Sequence, residues 1–365
     1  MTNEEMLKIM KDNIKNLVDK TFNVYFFVLD TKGNPNSALE YIYKTAYFLH
    51  EEGYKVTMLH QDKEFVGVGE WLGTRYSDLP HANVETDNVT TSPSDFLFIP
   101  EIFANVMMQT KTLPCKRVLI VQNYGNITEF LPVSQSLANL NIRDAVVTTE
   151  KQAEMIKKYF PEIHTHIVSP SISPIFCKSK EPKNLVVNIV CKDTSVINKM
   201  VKPFYWTNPL YKWVSFRDLR GLSQEMFAEA LKTGAITIWV DDDTNFGYTL
   251  LEALRCGSIV IAKAPDNPTS WMLNKNGDLS ENILWFDNID EIPTLLPSAI
   301  RSWTLDNVPE DVYSRQDSFN DLYSEDEQKK EIKKVYIQEL FEKRLLDFKE
   351  TQTYIENNEF EKTEK

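Results

Sequence analysis

The sequence predicts an α/β protein of two domains, each built on a parallel β-sheet. The chain has 365 residues, which is long for one hydrophobic core, since domains usually contain roughly 100–200 residues. Continuous apolar runs such as 24–29 alternate with segments of helical periodicity. An apolar run of this kind is typical of a parallel strand that helices cover on both faces. The proline-containing stretch 169–183 separates two such alternations and is interpreted as the interdomain linker.

The first domain is assigned to residues 1–172 and opens with a β-α-β unit. The strand at 24–29 leads into a polar loop, and a helix that begins near Ser37 is ended by Gly53. Such a unit is the start of a doubly wound, Rossmann-like domain. Further strands are predicted at 55–59, 95–99, 117–121 and 144–149.

The second domain is assigned to residues 173–340, and residues 341–365 are assigned to a C-terminal helix with a solvated tail. Strands in the second domain are predicted at 185–190, 213–216, 236–240 and 258–262.

Composition narrows the class of protein. The formal net charge of −13 opposes general affinity for nucleic acid, which normally requires a basic face. The four cysteines form no C-x-x-C pair and are expected to be buried apolar residues in a reducing compartment. The N-terminus lacks the pattern of a signal peptide, and no apolar run approaches the length of a membrane span, so a cytoplasmic location is expected.

Residues 241–260 form the segment that is most informative about function. They predict a strand end, a short loop, a helix, a stop at Gly257 and a new strand. Gly247 lets a ligand approach the backbone closely, and the first turn of the helix offers the N–H groups that bind a diphosphate. Glu252 lies about one turn further on, where a carboxylate can accept hydrogen bonds from two ribose hydroxyls. An ordinary β-α-β crossover with a surface glutamate has the same layout, so the layout alone leaves both interpretations open.

The residues of this segment resemble the donor-binding motif of glycosyltransferase family 4 and its GT-B relatives, which reads Glu-Gly-Phe-Gly-x-x-x-x-Glu-Ala-x-x-x-Gly-x-Pro-Val. The positions in register are Phe246, Gly247, Glu252, Ala253, Gly257 and Val260. The resemblance implies that Glu252 binds the ribose of a UDP- or GDP-linked sugar. It also implies that the loop amides hold the diphosphate and the sugar, a role that falls on Phe246, Gly247, Tyr248 and Thr249.

One position departs from the motif. The first glutamate of the family pattern lies eight residues before Glu252, and this chain has Thr244 there. In the family that glutamate contacts the donor sugar. The substitution leaves the donor sugar and the catalytic role open between Thr244 and its neighbour Asp243, which are the candidate catalytic residues.

The resemblance extends more weakly to both ends of the chain. Pro100-Glu101, followed by the strand that ends in Gln122-Asn123, is similar to a variant seen in some family members. The resemblance implies two facing Rossmann-like domains, with the terminal helix packing back on the first. It also implies an acceptor site on the first domain, retention of the anomeric configuration and independence from metal. The candidate acceptor-side residues are Gly33, Asn34, Gln122 and Asn123.

Transfer also requires neutralisation of the leaving diphosphate, which GT-B enzymes achieve with cationic side chains and helix dipoles. The candidates here are Lys192, Lys202 and Arg217, which follow strands of the second domain. For each of the three, a solvated surface cation is the plain alternative.

Two other clusters are interpreted structurally. The carboxylates of 241–243 invite a metal interpretation, but they end a strand in the second half of the chain, so a solvated strand end is favoured and no metal is expected. An aromatic cluster near the start of the second domain is expected to belong to the core. Its members are Tyr205, Trp206, Tyr211 and Trp213.

The sequence thus predicts a glycosyltransferase that moves a hexosyl or pentosyl group from a nucleotide-sugar to a saccharide or other hydroxyl acceptor. Two alternatives stay open. One is a catalytically silent GT-B binding domain, for which Thr244 is the support. The other is a phage-type enzyme that glycosylates DNA bases, which the acidic charge opposes.

Overall fold

The structure, a computed structural model, describes residues 3–241, 246–305 and 323–363. The chain divides into two compact units. Unit 1 comprises Met1–Ser169 and Gln328–Lys365, and unit 2 comprises Pro170–Glu327. The sequence predicts a second domain that ends at residue 340, whereas the segment from Gln328 belongs to unit 1. The reason is that apolar side chains of this segment, including Tyr336 and Phe341, are buried in the core of unit 1.

Unit 1 contains a seven-stranded sheet in which every neighbouring pair is parallel. Its strands are β1 (Asn23–Phe27), β2 (Lys55–His60), β3 (His81–Asn83), β4 (Phe96–Pro100), β5 (Lys116–Val121), β6 (Asp144–Val147) and β7 (His164–Ile167). They lie in the order β3-β2-β1-β4-β5-β6-β7. The helices of this part are α1 (Asn3–Val18), α2 (Ser37–Glu51), α3 (Thr74–Ser77), α4 (Ala104–Gln109), α5 (Tyr124–Phe130) and α6 (Glu150–Tyr159).

Alternating side chains of the strands build a core on each face of this sheet. In β1, Val24 and Phe26 point into one cluster, whereas Tyr25 and Phe27 point into the other. This follows from the two-residue period of a strand. Both faces are buried, which explains why the run from residue 24 is continuously apolar.

Unit 2 contains a five-stranded sheet whose neighbouring pairs are also all parallel. Its strands are β8 (Asn184–Val190), β9 (Ser215–Asp218), β10 (Gly234–Trp239), β11 (Ile259–Lys263) and β12 (Ile283–Phe286). They lie in the order β12-β11-β10-β8-β9. The helices are α7 (Thr194–Thr207), α8 (Gln224–Thr233), α9 (Tyr248–Arg255) and α10 (Ile292–Thr304). The last helical stretch of the chain comprises α11 (Glu325–Ile332), a π-helical segment (Lys333–Glu342) and α12 (Lys343–Thr363).

The strands predicted from the sequence are present within a few residues, and two short strands were missed. β3 and β12 were not predicted, because so few residues carry little periodicity. Of the four cysteines, Cys177 is exposed and the other three are buried, so the expectation was wrong at that position. Within the described ranges, no helix combines the length and the apolar content that crossing a membrane requires.

The aromatic cluster of unit 2 is not the core cluster that the sequence suggested. Tyr205 and Tyr211 are half-buried, but Trp206 is 75% exposed and Trp213 is 61% exposed. Helix α7 buries Phe204, and a side chain two positions further on points to nearly the opposite side of a helix. The prediction was therefore wrong for both tryptophans.

Candidate functional site

The strand order of unit 2 places a topological switch point between β8 and β10. From β8 the chain moves to β9 on one side and then returns to β10 on the other side. Open parallel sheets bind ligands in the crevice outside the carboxyl ends of the strands at such a point. The segment 241–260, singled out from the sequence, follows β10 at this edge.

Helix α9 begins beside this switch point with a glycine in a left-handed conformation. Gly247 is its N-cap, with φ 82° and ψ 41°. A residue with a Cβ rarely adopts these angles, so glycine is required here. Tyr248 and Thr249 form the first turn and are half-buried. The first-turn N–H groups of a helix have no partner within the helix, and together with the helix dipole they attract an anion.

Phe246, the residue before Gly247, is held in place by aromatic side chains. Phe246 is buried, and its carbonyl oxygen accepts a hydrogen bond of 2.7 Å from the indole Nε1 of Trp271. Its ring makes edge contacts with Tyr248 and Tyr323, at centroid distances of 5.2 Å and 5.0 Å. The structure therefore brings the predicted residues 246–249 together. Trp271 and Tyr323 were not anticipated, because nothing in their local sequence marks them as supports of this loop.

Glu252 lies one turn into α9 and is buried, with 7% of its surface exposed. The helix ends in a complete Schellman motif, in which Gly257 N–H donates to Leu254 O and Ser258 N–H donates to Ala253 O. Gly257 has φ 75°, and its predicted role as the helix stop is confirmed. Glycines therefore set both ends of α9, and Glu252 lies between them in the middle of the helix.

The three candidate cations have different positions. Lys192 directly follows β8 at the switch point, is exposed, and donates its backbone N–H to Asp241 Oδ1 at 3.0 Å. Lys202 lies on the exposed side of α7, two turns beyond its start. Arg217 donates to Ala230 O at 3.4 Å and to Thr233 Oγ1 at 3.2 Å.

The contacts of Arg217 direct it away from the candidate site. Ala230 and Thr233 are in the last turn of α8, and β10 starts immediately after that turn. The end of α8 therefore lies at the amino edge of the sheet, opposite the switch-point crevice. Of the three candidate cations, Lys192 is the one with a hydrogen bond to Asp241, which follows β10.

The candidate catalytic residues Asp243 and Thr244 lie outside the described residues, as does Asp242. Across the portion of the chain that is described, no group of three or more His, Cys, Asp or Glu side chains is arranged to hold a metal ion.

Unit 1 has its own switch point, between β1 and β4, and the acceptor-side candidates flank it. Gly33 lies in the loop after β1 with φ 78°. A Cβ added there would lie 3.6 Å from Glu70 Oε2. Asn34 is exposed and donates its side-chain amide to Thr31 O at 2.8 Å.

The same loop is tied to an ionised carboxylate. Asp30 accepts hydrogen bonds from the backbone N–H of Lys32 at 2.9 Å and of Val66 at 3.1 Å. The Lys32 ammonium lies 2.8 Å from Oδ2, the oxygen that also accepts the Val66 N–H. Burial favours the neutral acid, but these hydrogen bonds outweigh it and lower the pKa of Asp30.

On the other side of the switch point, Glu101 follows β4 and is buried, with 4% of its surface exposed. Its Oε1 accepts the backbone N–H of Asn123 at 2.8 Å and of Gln122 at 3.3 Å, and the Asn126 amide at 3.1 Å. Burial raises the pKa of Glu101 to about 7, although the three hydrogen bonds favour the charged form. A carboxyl group with this pKa changes charge near neutral pH.

Gln122 and Asn123 are both held by the protein. Gln122 donates its side-chain amide to Ala38 O at 2.9 Å, which links the end of β5 to the start of α2. Asn123 caps α5 by accepting the N–H of Gly125 at 2.8 Å. The structure thus brings these two residues together with Glu101. The sequence had signalled Glu101 only through the Pro-Glu dipeptide.

Comparisons with known proteins agree with this architecture. No protein-family model matches the chain, and no curated protein matches its sequence. Among solved structures, the chain is similar to the pneumococcal O-GlcNAc transferase GtfA in complex with UDP and GlcNAc. This similarity has a TM-score of 0.62 at 10% identity, and covers 89% of this chain and 99% of that one.

Two further structures are similar over nearly the whole chain. A glycosyltransferase from Rickettsia africae ESF-5 has a TM-score of 0.59 at 11% identity, covering 89% of this chain and 98% of that one. Sucrose-phosphate synthase from Thermosynechococcus elongatus has a TM-score of 0.52 at 10% identity, covering 92% of this chain and all of that one. The chain therefore has the fold of GT-B glycosyltransferases. The predicted fold class, two Rossmann-like domains with parallel sheets, is confirmed.

Proposed function

We propose that this protein is a glycosyltransferase that moves a sugar from a nucleotide-sugar donor to a hydroxyl acceptor. The observation that carries the proposal is the start of α9 beside the β8/β10 switch point. There a left-handed Gly247 precedes the helix, and a buried Glu252 follows one turn later. A diphosphate fits the first-turn N–H groups, and a carboxylate at that depth fits two ribose hydroxyls.

In this proposal unit 2 is the donor unit, and the donor is a UDP- or GDP-linked sugar. Glu252 binds the ribose, and the backbone of Phe246, Gly247, Tyr248 and Thr249 holds the diphosphate and the sugar. Lys192 supplies positive charge to the leaving diphosphate, in keeping with its exposed position directly after β8. The similarity of fold to GtfA, whose structure contains UDP, supports a nucleotide guest.

The acceptor, a saccharide or another hydroxyl compound, is proposed to bind unit 1 near Gly33, Asn34, Gln122 and Asn123. These residues flank the β1/β4 switch point, and Gly33 and Asn34 belong to a loop held in place by Asp30. We also propose a metal-independent reaction with retention of configuration. Both features are taken from the resemblance of residues 246–260 to glycosyltransferase family 4.

The experiment is a panel of nucleoside diphosphates and nucleotide-sugars. A ligand that binds the native state raises the melting temperature, and each binder is then assayed for sugar transfer and hydrolysis with and without EDTA. The proposal expects one donor class to bind and to react in EDTA. Activity that EDTA abolishes and Mn²⁺ restores would contradict metal independence. If no member of the panel binds, the nucleotide site itself is refuted.

A second candidate, a catalytically silent binding domain, is favoured by Thr244 in place of the family's glutamate. Threonine has no charge and a shorter reach, so either Asp243 supplies the carboxylate or the donor sugar is held differently. We propose an active enzyme with altered donor choice, with Asp243 and Thr244 as the catalytic pair.

The variants Asp243→Asn and Thr244→Glu separate the two candidates. In an active enzyme, Asp243→Asn loses transfer while it keeps nucleotide affinity, and Thr244→Glu changes the donor preference. An inactive wild type whose Thr244→Glu variant gains transfer would establish the silent domain instead. Calorimetry on the same samples measures nucleotide affinity independently of turnover.

A further inference from the structure

Unit 2 exposes an unusual set of large apolar side chains at the end of α7 and in the segment that follows. Trp206 is 75% exposed, Leu210 is 85% exposed and Trp213 is 61% exposed. Trp206 also lines an open groove of about 620 Å³ together with Tyr205, Pro209 and Lys212. Clustered apolar exposure of this kind marks a surface that binds something other than water.

The segment that carries these side chains is rigidly held. Phe204 is fully buried, and Tyr205 donates its hydroxyl to Val214 O at 2.6 Å. Asn208 donates to Phe204 O at 3.1 Å and to Pro293 O at 3.0 Å. The segment that presents the exposed side chains is therefore tied to the rest of unit 2 by hydrogen bonds.

The segment around these side chains carries basic residues and no acidic ones. No Asp or Glu occurs within residues 194–217, in a chain that contains 53 acidic and 40 basic residues. Lys199, Lys202 and Trp206 recur at i, i+3 and i+7, so they share one exposed face of α7. Lys212 is exposed and lines the groove beside Trp206. We call this set the aromatic-basic patch, defined as Lys199, Lys202, Trp206, Leu210, Lys212 and Trp213.

Several acidic residues lie next to the patch in sequence or on an element that packs against α7, and most of them have a hydrogen-bond or ion-pair partner. Asp193 accepts hydrogen bonds from Ser195, and Asp218 is paired with Arg220. The 3-10 helix Ile289–Glu291 contacts α7. There, Glu291 accepts the backbone N–H groups of Asp287 and Asn288, while Asp290 is exposed.

We propose that the aromatic-basic patch docks this protein onto the surface of a lipid bilayer that contains anionic headgroups. Indole rings favour the boundary between headgroups and acyl chains, and Leu210 would enter the apolar layer. Lysines are attracted to the negative surface potential, and the absence of Asp and Glu from residues 194–217 limits the repulsion. A nucleic acid would use the cations and stack on the indoles, but unlike a bilayer it offers no apolar layer to the exposed Leu210.

Flotation of the full chain with vesicles tests the proposal. One set of vesicles contains phosphatidylcholine alone, and the other contains phosphatidylcholine mixed with phosphatidylserine. We expect binding to the phosphatidylserine vesicles that weakens as salt is added. Equal binding to both sets, or binding to neither, would refute the proposal.

Paired variants locate the contact. The double variant Trp206→Ser/Trp213→Ser removes apolar insertion, and we expect vesicle affinity to fall about tenfold or more. Lys199→Gln/Lys212→Gln removes two charges, and we expect a loss on the order of tenfold that high salt abolishes. Met226→Ser and Lys275→Gln change equally exposed residues of unit 2 outside the patch and serve as matched controls.

Three further measurements test whether the variants are folded and whether another partner occupies the patch. Melting temperatures of all variants in the absence of vesicles show whether each is folded. Sedimentation velocity over a range of protein concentrations and titration with an oligonucleotide are then run on wild type and on the tryptophan double variant. Self-association or oligonucleotide binding that depends on the tryptophans, without vesicle binding, would overturn the proposal in favour of that occupant. The result does not depend on whether the protein transfers sugar.

Discussion

Two helix starts near the switch points, that of α5 in unit 1 and that of α9 in unit 2, differ in how their N–H groups are used. In unit 1 the N–H groups of Gln122 and Asn123, the two residues that precede α5, donate to the Glu101 carboxyl group. The Asn123 side chain in turn accepts the first-turn N–H of Gly125. In unit 2 helix α9 starts at Gly247, which has no side chain to cap it. A helix start whose N–H groups are accepted by the protein's own N-cap side chain offers fewer donors to a diphosphate than one whose N-cap is glycine. The difference supports the proposal that a nucleotide binds unit 2.

Replacing Glu252 tests the unit 2 side of this comparison and should have the largest effect. Loss of a carboxylate that accepts two hydroxyl hydrogen bonds should weaken nucleotide binding by about 2–4 kcal/mol, roughly 30- to 700-fold. Calorimetry on Glu252→Gln measures this. Glu229→Gln, an exposed carboxylate on α8, is the control. Unchanged affinity in Glu252→Gln would mean that the ribose does not bind there.

The unit 1 side is tested through the pH dependence of stability. Glu101 keeps its proton up to about pH 7 in the folded protein, whereas an ordinary glutamate loses it near pH 4.5. The folded state therefore binds more protons than the unfolded state between these values, and the free energy of unfolding falls as pH rises through this window. The shift corresponds to about 3 kcal/mol.

Urea denaturation of wild type and Glu101→Gln from pH 4.5 to 8 measures the effect. A glutamine cannot ionise but still offers an oxygen to the N–H groups of Gln122 and Asn123. We expect the variant to gain stability relative to wild type as pH rises. Glu129→Gln, an exposed residue of α5, controls for the loss of one negative charge. If the free energy of unfolding changes with pH in the same way for Glu101→Gln and wild type, the pKa of Glu101 is not raised by burial.

The two left-handed glycines at the ends of α9 sharpen the comparison further. Gly247→Ala and Gly257→Ala each force a Cβ into the left-handed region, at φ 82° and 75° respectively, and each should cost about 1–2 kcal/mol of stability. Only Gly247 adjoins the proposed diphosphate position. We therefore expect Gly247→Ala also to weaken nucleotide binding, and Gly257→Ala to bind as wild type does once folded. An equal loss of affinity in both variants would indicate a general distortion of α9.

Much of the fold could be read from the sequence because its signals are local. The apolar run that contains β1 predicts a strand covered on both faces, and Gly257 predicts the end of a helix. The residue types and spacing in 246–260 are sufficient to predict the glycine and the helix of the proposed donor site. These features depend on residues that are close neighbours in the chain, so their spacing is sufficient.

The remaining features were decided by tertiary structure. Strand order comes from pairing between distant segments, and it is this order that sets the two switch points. Glu101 has its raised pKa because packing buries it, and Arg217 is drawn to the end of α8 by carbonyl and hydroxyl groups that its spacing cannot reveal. Trp206 is exposed because Phe204 holds the opposite side of α7 in the core. The sequence by itself thus determined the elements and the proposed nucleotide motif, whereas only long-range packing decided which charged and aromatic side chains face solvent, since burial depends on neighbours remote in the chain.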